Sequence, residues 1–282
     1  MSHIAFLGTG LIGGGMVEAM LARGLQVKVF NRSRAKAEAL APLGAIVADS
    51  PEDAACGAAR VHIALSDDAA VDATLDAASP AIADGTLVID HSTTSPAGVR
   101  ARVEKHARLR FIHAPVFMSP AMCKVPAGIM LVCGARDRVA AVHDELAKMT
   151  GKVMDLGERP DLAACFKLFG NAMIFALVGG IADVFSMARA EGIDPAAALG
   201  LFEHFQVSGI FGARGKKMAA GDFTPSFHLS MARKDIGLML DVLASSPEGS
   251  AVLGSVAARF DERIAAGDGA LDLGVIGAPP KR

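Results

Sequence analysis

With 282 residues, 28 basic against 30 acidic side chains and a net charge of -2, the chain carries no general field for nucleic acid or an anionic membrane. No basic stripe interleaved with aromatics appears either, and the length suits one doubly wound unit plus a second. Four cysteines without a CxxC pair, histidines without an HxxxH spacing and the absence of any tyrosine argue against a metal site and a tyrosine proton donor, leaving lysine, histidine or a carboxylate to manage a proton.

The first predicted strand, residues 4–7, runs straight into Gly8-Thr9-Gly10-Leu11-Ile12-Gly13 and a helical pattern through Met16, Ala19, Met20 and Leu21. Strand, glycine turn and helix in that order make the dinucleotide-binding fingerprint. Its glycines permit a tight turn, close approach of backbone to a pyrophosphate, and close packing of helix on strand. The pyrophosphate would rest on the helix N-terminus. These six residues are the first cofactor candidates.

A second strand, residues 27–30, ends where the fingerprint expects an acid that reads the ribose. Here stand Asn31, Arg32, Ser33 and Arg34. An acid would accept from the 2′-hydroxyl and repel a 2′-phosphate, whereas an amide, a hydroxyl and guanidiniums suit the phosphate. NADP is therefore expected over NAD, through Asn31, Arg32 and Ser33. The alternative is that Arg32 and Arg34 only open a solvated helix through Lys36 and Glu38.

Further short apolar strands are predicted at residues 45–47, 61–65, 87–89, 111–113, 129–132 and 153–155, alternating with alanine-rich helical stretches. That alternation implies an α/β fold: an N-terminal Rossmann-type, doubly wound, mostly parallel sheet over residues 1–160. After Pro160 the strand signals stop, and residues 161–282 read as an all-α C-terminal domain with helices at 162–191, 195–205, 211–219, 227–243 and 249–266. The tail from residue 274 is expected to be mobile.

Ligands of such sheets lie outside the carboxyl ends of the strands. The hydroxyl-rich stretch Asp90-His91-Ser92-Thr93-Thr94-Ser95-Pro96 follows one of them, so Ser92 and Thr93 are candidates to face a nicotinamide or a substrate; Thr94-Ser95-Pro96 reads equally as a helix N-cap. His91 and His113 are possible acid–base groups, with a structural role as the alternative.

Lys167 is the only ionisable side chain between Asp161 and Asp183. An ammonium in so apolar a run either snorkels to water or is held in a pocket where its proton affinity falls towards a catalytic range. Asn171, four residues on, would project from the same helical face. The run 172–182 looks too short to span a bilayer, and the apolar start at Ile4 is too short and too soon broken by glycines for a signal peptide, so a cytoplasmic protein is expected. Gly179-Gly180 and the uncharged helix surface suggest a homodimer or higher homo-oligomer, or else burial by the chain's other helices.

Taken together, Gly8 to Gly13, Asp90-His91-Ser92-Thr93, Ala114-Pro115-Val116, Lys167-Leu168-Phe169-Gly170-Asn171 and Phe223 to Leu240 with Lys234-Asp235 resemble the β-hydroxyacid dehydrogenase family, which includes 3-hydroxyisobutyrate dehydrogenase and is related to 6-phosphogluconate dehydrogenase. The resemblance implies Lys167 as general acid/base, Asn171 as a substrate contact, and Leu65, Ser66, Thr93 and Lys234 as cofactor contacts. It implies hydride transfer between NADP(H) and a small 3-hydroxy acid or the matching aldehyde or ketone acid. Two departures stand out. The family's Ser-Gly-Gly carboxylate anchor is Phe117-Met118-Ser119 here, and the first of two adjacent asparagines is Gly170. Phe117, Met118, Ser119 and Ser92 are thus the substrate candidates around a reshaped pocket. Imine reductases share this architecture, and a dinucleotide-binding regulatory protein without turnover is the other alternative.

Overall fold

The computed structural model describes residues 3–280, whose contacts form two compact units, one up to Asn171 and the other from Ala172. In the first unit β1 (His3–Leu7) leads into α1 (Leu11–Ala22), followed by β2 (Val27–Phe30), α2 (Arg34–Glu38), β3 (Ile46–Val47), α3 (Pro51–Ala55), β4 (Ala58–Ile63), α4 (Asp68–Ala78), β5 (Leu87–Asp90), α5 (Pro96–Lys105) and β6 (Arg110–His113). The six strands form one parallel sheet in the order β3-β2-β1-β4-β5-β6. The order reverses between β1 and β4, the place where a doubly wound sheet opens a crevice for a ligand.

Both faces of this sheet are covered, which is why its central strands read as continuous apolar runs. Phe6 of β1 and Ile89 of β5 join α1 in one core, while Ala5, Leu7, Val61 and Val88 face α3, α4 and α5 in a second. Full burial of a side chain such as Phe6 or Leu7 contributes about 1.5–3 kcal/mol. Helix starts follow local chemistry: Asp67 accepts from the Ala70 amide and Ser95 from the Gly98 amide, so Thr94-Ser95-Pro96 does serve as an N-cap with proline in the first turn. Arg102, 2% exposed, ties α5 to Asp68 and Asp72 of α4 and to Thr94.

The last predicted strands do not extend the parallel sheet. The two-residue β7 (Val116–Phe117) pairs antiparallel with β8 (Ile129–Val132), which pairs parallel with β9 (Lys152–Asp155), making a separate three-stranded sheet that also carries α6 (Arg136–Ala140) and α7 (His143–Ala147). The break comes at Pro115, which has no N–H to offer a ladder.

α8 (Leu162–Ala190) is continuous over 29 residues, and the division between the units falls inside it, not at residue 160. By length and composition it could cross a membrane, which corrects the expectation of a run too short to do so. The second unit continues with α9 (Pro195–His204), a π-type turn at Phe211–Gly215 merging into α10 (Lys216–Ala220), α11 (Leu229–Leu243) and α12 (Leu253–Ala265). Gly179 lies so close to Val252 that a Cβ would overlap its side chain, so this glycine serves packing within the unit. The tail is not loose from residue 274: Leu273–Gly277 forms a 3-10 turn that buries Val275 against α11 and α12.

Candidate active site

A cavity of about 690 Å³ opens at the carboxyl edge of the parallel sheet, lined by residues of the first unit only. The glycine turn forms one wall. Gly8 has φ +102°, and a Cβ there would strike the Ala64 carbonyl; a Cβ on Gly13 would strike the carbonyl of Gly8. Gly10, by contrast, faces open space, and no side chain caps the N-terminus of α1. Bare helix amides beside a backbone with nothing over it fit a dinucleotide pyrophosphate, which needs that approach and those donors.

At the end of β2, Asn31 accepts from the Thr9 amide at 3.0 Å and donates to the Ser33 carbonyl at 3.0 Å. Arg32, Ser33 and Lys36 line the cavity. Arg34 does not, because Glu38 and Asp49 hold its guanidinium at 2.8 and 2.7 Å.

The loop after β5 is fixed from beneath. Ser92 Oγ accepts from the Leu65 amide at 2.9 Å, and Asp90 Oδ1 accepts from the Ser92 amide at 2.9 Å. His62 and His91 stack and share a 2.9 Å hydrogen bond. Arg60 Nε, which can only donate, points at His62 Nε2. The His62 proton therefore sits on Nδ1 and is donated to His91 Nε2, leaving His91 Nδ1–H for the Ala114 carbonyl at 2.8 Å. Burial holds His91 down to about 4 and lowers His62 and His113 as well. These rings are neutral spacers, not acid–base groups near neutral pH, and the structural alternative holds.

Lys167, on α8, is 9% exposed and lines the same cavity. Burial lowers its proton affinity. Its Nζ lies 3.9 Å from the centroid of the Phe117 ring.

Residues 3–157 match the family model described as the NAD binding domain of 6-phosphogluconate dehydrogenase. The chain belongs to the β-hydroxyacid dehydrogenase family. Relatives span nearly its whole length. A probable 3-hydroxyisobutyrate dehydrogenase of Mycobacterium bovis is 28% identical over 295 residues, covering 98% of this chain and 97% of that protein. The 3-sulfolactaldehyde reductase of Escherichia coli is 26% identical over 254 residues, covering 86% and 83%. In fold the chain is similar to an imine reductase from Myxococcus stipitatus in complex with NADP+, with a TM-score of 0.89, 20% identity and coverage of 97% and 98%. The protein is an NAD(P)-dependent oxidoreductase.

Of the residues singled out from the dehydrogenase sequence, Gly8, Gly10, Leu11, Ile12, Gly13, Asn31, Arg32, Ser33, Leu65, Ser66, Ser92, Thr93, Met118 and Lys167 all border the cavity. Five others do not border it. Thr9 is buried behind the turn, Asn171 sits half-buried one turn beyond Lys167, and Ser119 accepts from the Met122 amide at 3.4 Å. Phe117 turns its ring to Lys167, and Lys234, on α11 of the second unit, pairs with Asp235 at 2.8 Å. Lys36, on α2, went unrecognised as a cavity residue; Arg32 precedes that helix, so no helical spacing links the two cations. Thr74 and Ala70 carry no sequence signal for the cavity, whereas Val116 belongs to the Ala114-Pro115-Val116 motif without having been singled out as a site residue.

Proposed function

We propose that this enzyme catalyses NADP(H)-linked interconversion of a small hydroxy acid and the corresponding aldehyde or ketone acid, with Lys167 as the proton carrier. NADPH, when bound, supplies the hydride. The observation that carries the reading is one largely buried ammonium, with no ion pair among the described residues, on the wall of the cavity that the glycine turn opens. Its burial favours release of the proton, and an amine near operating pH exchanges protons best. In the reducing direction Lys167 donates to the oxygen as it gains negative charge; in the oxidising direction it takes the proton back. Asn171, one turn on, is the group we assign to orienting that oxygen.

Arg32, Ser33 and Lys36 support NADP over NAD, since two cations and a hydroxyl beside the ribose end match a 2′-phosphate. Gly8, Thr9, Gly10, Leu11, Ile12 and Gly13 would hold the pyrophosphate, with Leu65, Ser66 and Thr93 further along the cofactor; Lys234 is assigned to the cofactor on the family pattern alone. Ser92, Met118 and Ser119 are assigned to the substrate. Replacement of the Ser-Gly-Gly motif by Phe117-Met118-Ser119 keeps imine reduction as a second reading.

The exposed apolar side chains of α8, among them Phe169 at 62% and Phe175 at 69%, support a homodimer in which a second copy covers that face, and we assign the enzyme to the cytoplasm on its family membership alone. The decisive experiment is a spectrophotometric screen of hydroxy acids, aldehydes, ketones and cyclic imines with NADPH and NADH in parallel. Turnover of carbonyl compounds or hydroxy acids supports the reading. Turnover of imines alone selects the second, and NADPH binding without any turnover would leave a regulatory protein.

A further inference from the structure

The ammonium of Lys167 has an unusual neighbour for a buried cation. Among the described residues no carboxylate pairs with it, and the group in contact is the face of the Phe117 ring, 3.9 Å from Nζ. That ring is held on three sides. Its backbone belongs to β7, paired with Ile129 of β8. Its side chain packs on the cluster of Leu131, Cys133 and Ala163 with Leu156 and Leu162. Alongside it lies Gly170 of α8, where a Cβ would overlap ring atoms Cζ and Cε1. The two departures from the family pattern are thus a single structural feature, since the aromatic ring occupies the volume that a side chain at 170 would need.

We infer that Phe117 is the positioning residue of Lys167, and that glycine at 170 is what lets its ring reach the ammonium. The inference rests on the assignment of Lys167 as proton carrier. An unpartnered lysine on an apolar helix would swing its head towards water. A carboxylate partner would hold it in place but would also stabilise the ammonium and take up its donors. An aromatic face attracts the cation without accepting a conventional hydrogen bond, so the N–H groups stay free for a substrate oxygen. Other titratable groups bordering the cavity in this unit are His91, neutral and tied at both nitrogens, and Arg32 and Lys36 after β2. At the start of α8, Asp161 is engaged by Arg100 and Arg159.

The test compares Phe117→Leu, Phe117→Tyr and Gly170→Ala with the parent, using NADPH and the best substrate from the screen. Phe117→Leu keeps an apolar volume but removes the π face. It should lower kcat about tenfold and move the alkaline limb of the kcat–pH profile about one unit towards lower pH, with the Kd for NADPH within about twofold. Phe117→Tyr should restore both. Gly170→Ala, which displaces the ring without touching residue 117, should mimic Phe117→Leu and add little when combined with it. Parental kcat and pH profile in Phe117→Leu and Gly170→Ala, with Lys167→Met inactive, would overturn the inference and leave the role of Lys167 standing. A fully active Lys167→Met would overturn both. If Phe117→Leu does not fold, Gly170→Ala decides alone.

Discussion

The backbone amide of Thr9 donates to the side-chain oxygen of Asn31 at 3.0 Å, fastening the glycine turn to the end of β2. An aspartate at 31 could accept the same bond, so Asn31→Asp changes the charge and keeps the tie to the turn, while losing the 3.0 Å bond that the amide donates to the Ser33 carbonyl. A carboxylate there accepts from a ribose 2′-hydroxyl and repels a 2′-phosphate. We predict that Asn31→Asp lowers the ratio of kcat/KM for NADPH to that for NADH at least tenfold, about 1.4 kcal/mol, in parallel steady-state assays.

The two arginines after β2 should behave differently. Arg32 borders the cavity, whereas Arg34 is spent on Glu38 and Asp49. Arg32→Gln should weaken NADPH binding by about 1.5–3 kcal/mol, with little effect on NADH. Arg34→Gln should leave both cofactors within about twofold. Titration calorimetry with each cofactor separates the two.

Acid sensitivity should begin above the carboxylate range. Burial lowers His62, His91 and His113, His91 to about 4, while an unfolded histidine titrates near 6.5. Between those values the unfolded chain binds more protons than the folded one. The contribution of all three is therefore complete above pH 6.5 and declines as pH falls below it, for His91 until about 4, at up to about 1.4 kcal/mol per unit. Thermal melts from pH 7 to 4 should show a steady fall in Tm. A flat profile down to pH 4.5 would contradict the neutral chain from Arg60 to Ala114.

In the second unit, Asp183 of α8 is 1% exposed and accepts from the amides of Ala251, Val252 and Leu253 and from Ser250 Oγ. Burial alone would raise its carboxyl, but these donors outweigh that and keep it ionised. Asp183→Ala strands several amides and should cost about 3 kcal/mol, read from the urea midpoint.

The regular parts of the fold were legible because they obey local rules. Residues 27–30 are a strand with the predicted bounds, and α1 follows the glycine turn, starting at Leu11 inside the run and not after Gly13. What escaped prediction depends on partners far along the chain. The antiparallel β7 is two residues long and shows no periodicity, so only its pairing with β8 defines it. Arg34 pairs with Glu38 at an i,i+4 spacing that was readable beforehand, yet its second partner, Asp49, was not. The pattern departures at residues 117 and 170 were visible singly, but their contact joins positions with no local relation. Lys167 stood out because a charge in an apolar run must be accounted for, whereas nothing local announced the ring beneath it.

The most direct test of the account is the turnover of Lys167→Met with NADPH and the best substrate found, beside a measurement of NADPH affinity. The account predicts that kcat falls about 10²–10⁴-fold, the typical worth of a positioned acid–base group, while NADPH still binds within about threefold of the parent. A variant that turns over as fast as the parent would contradict it.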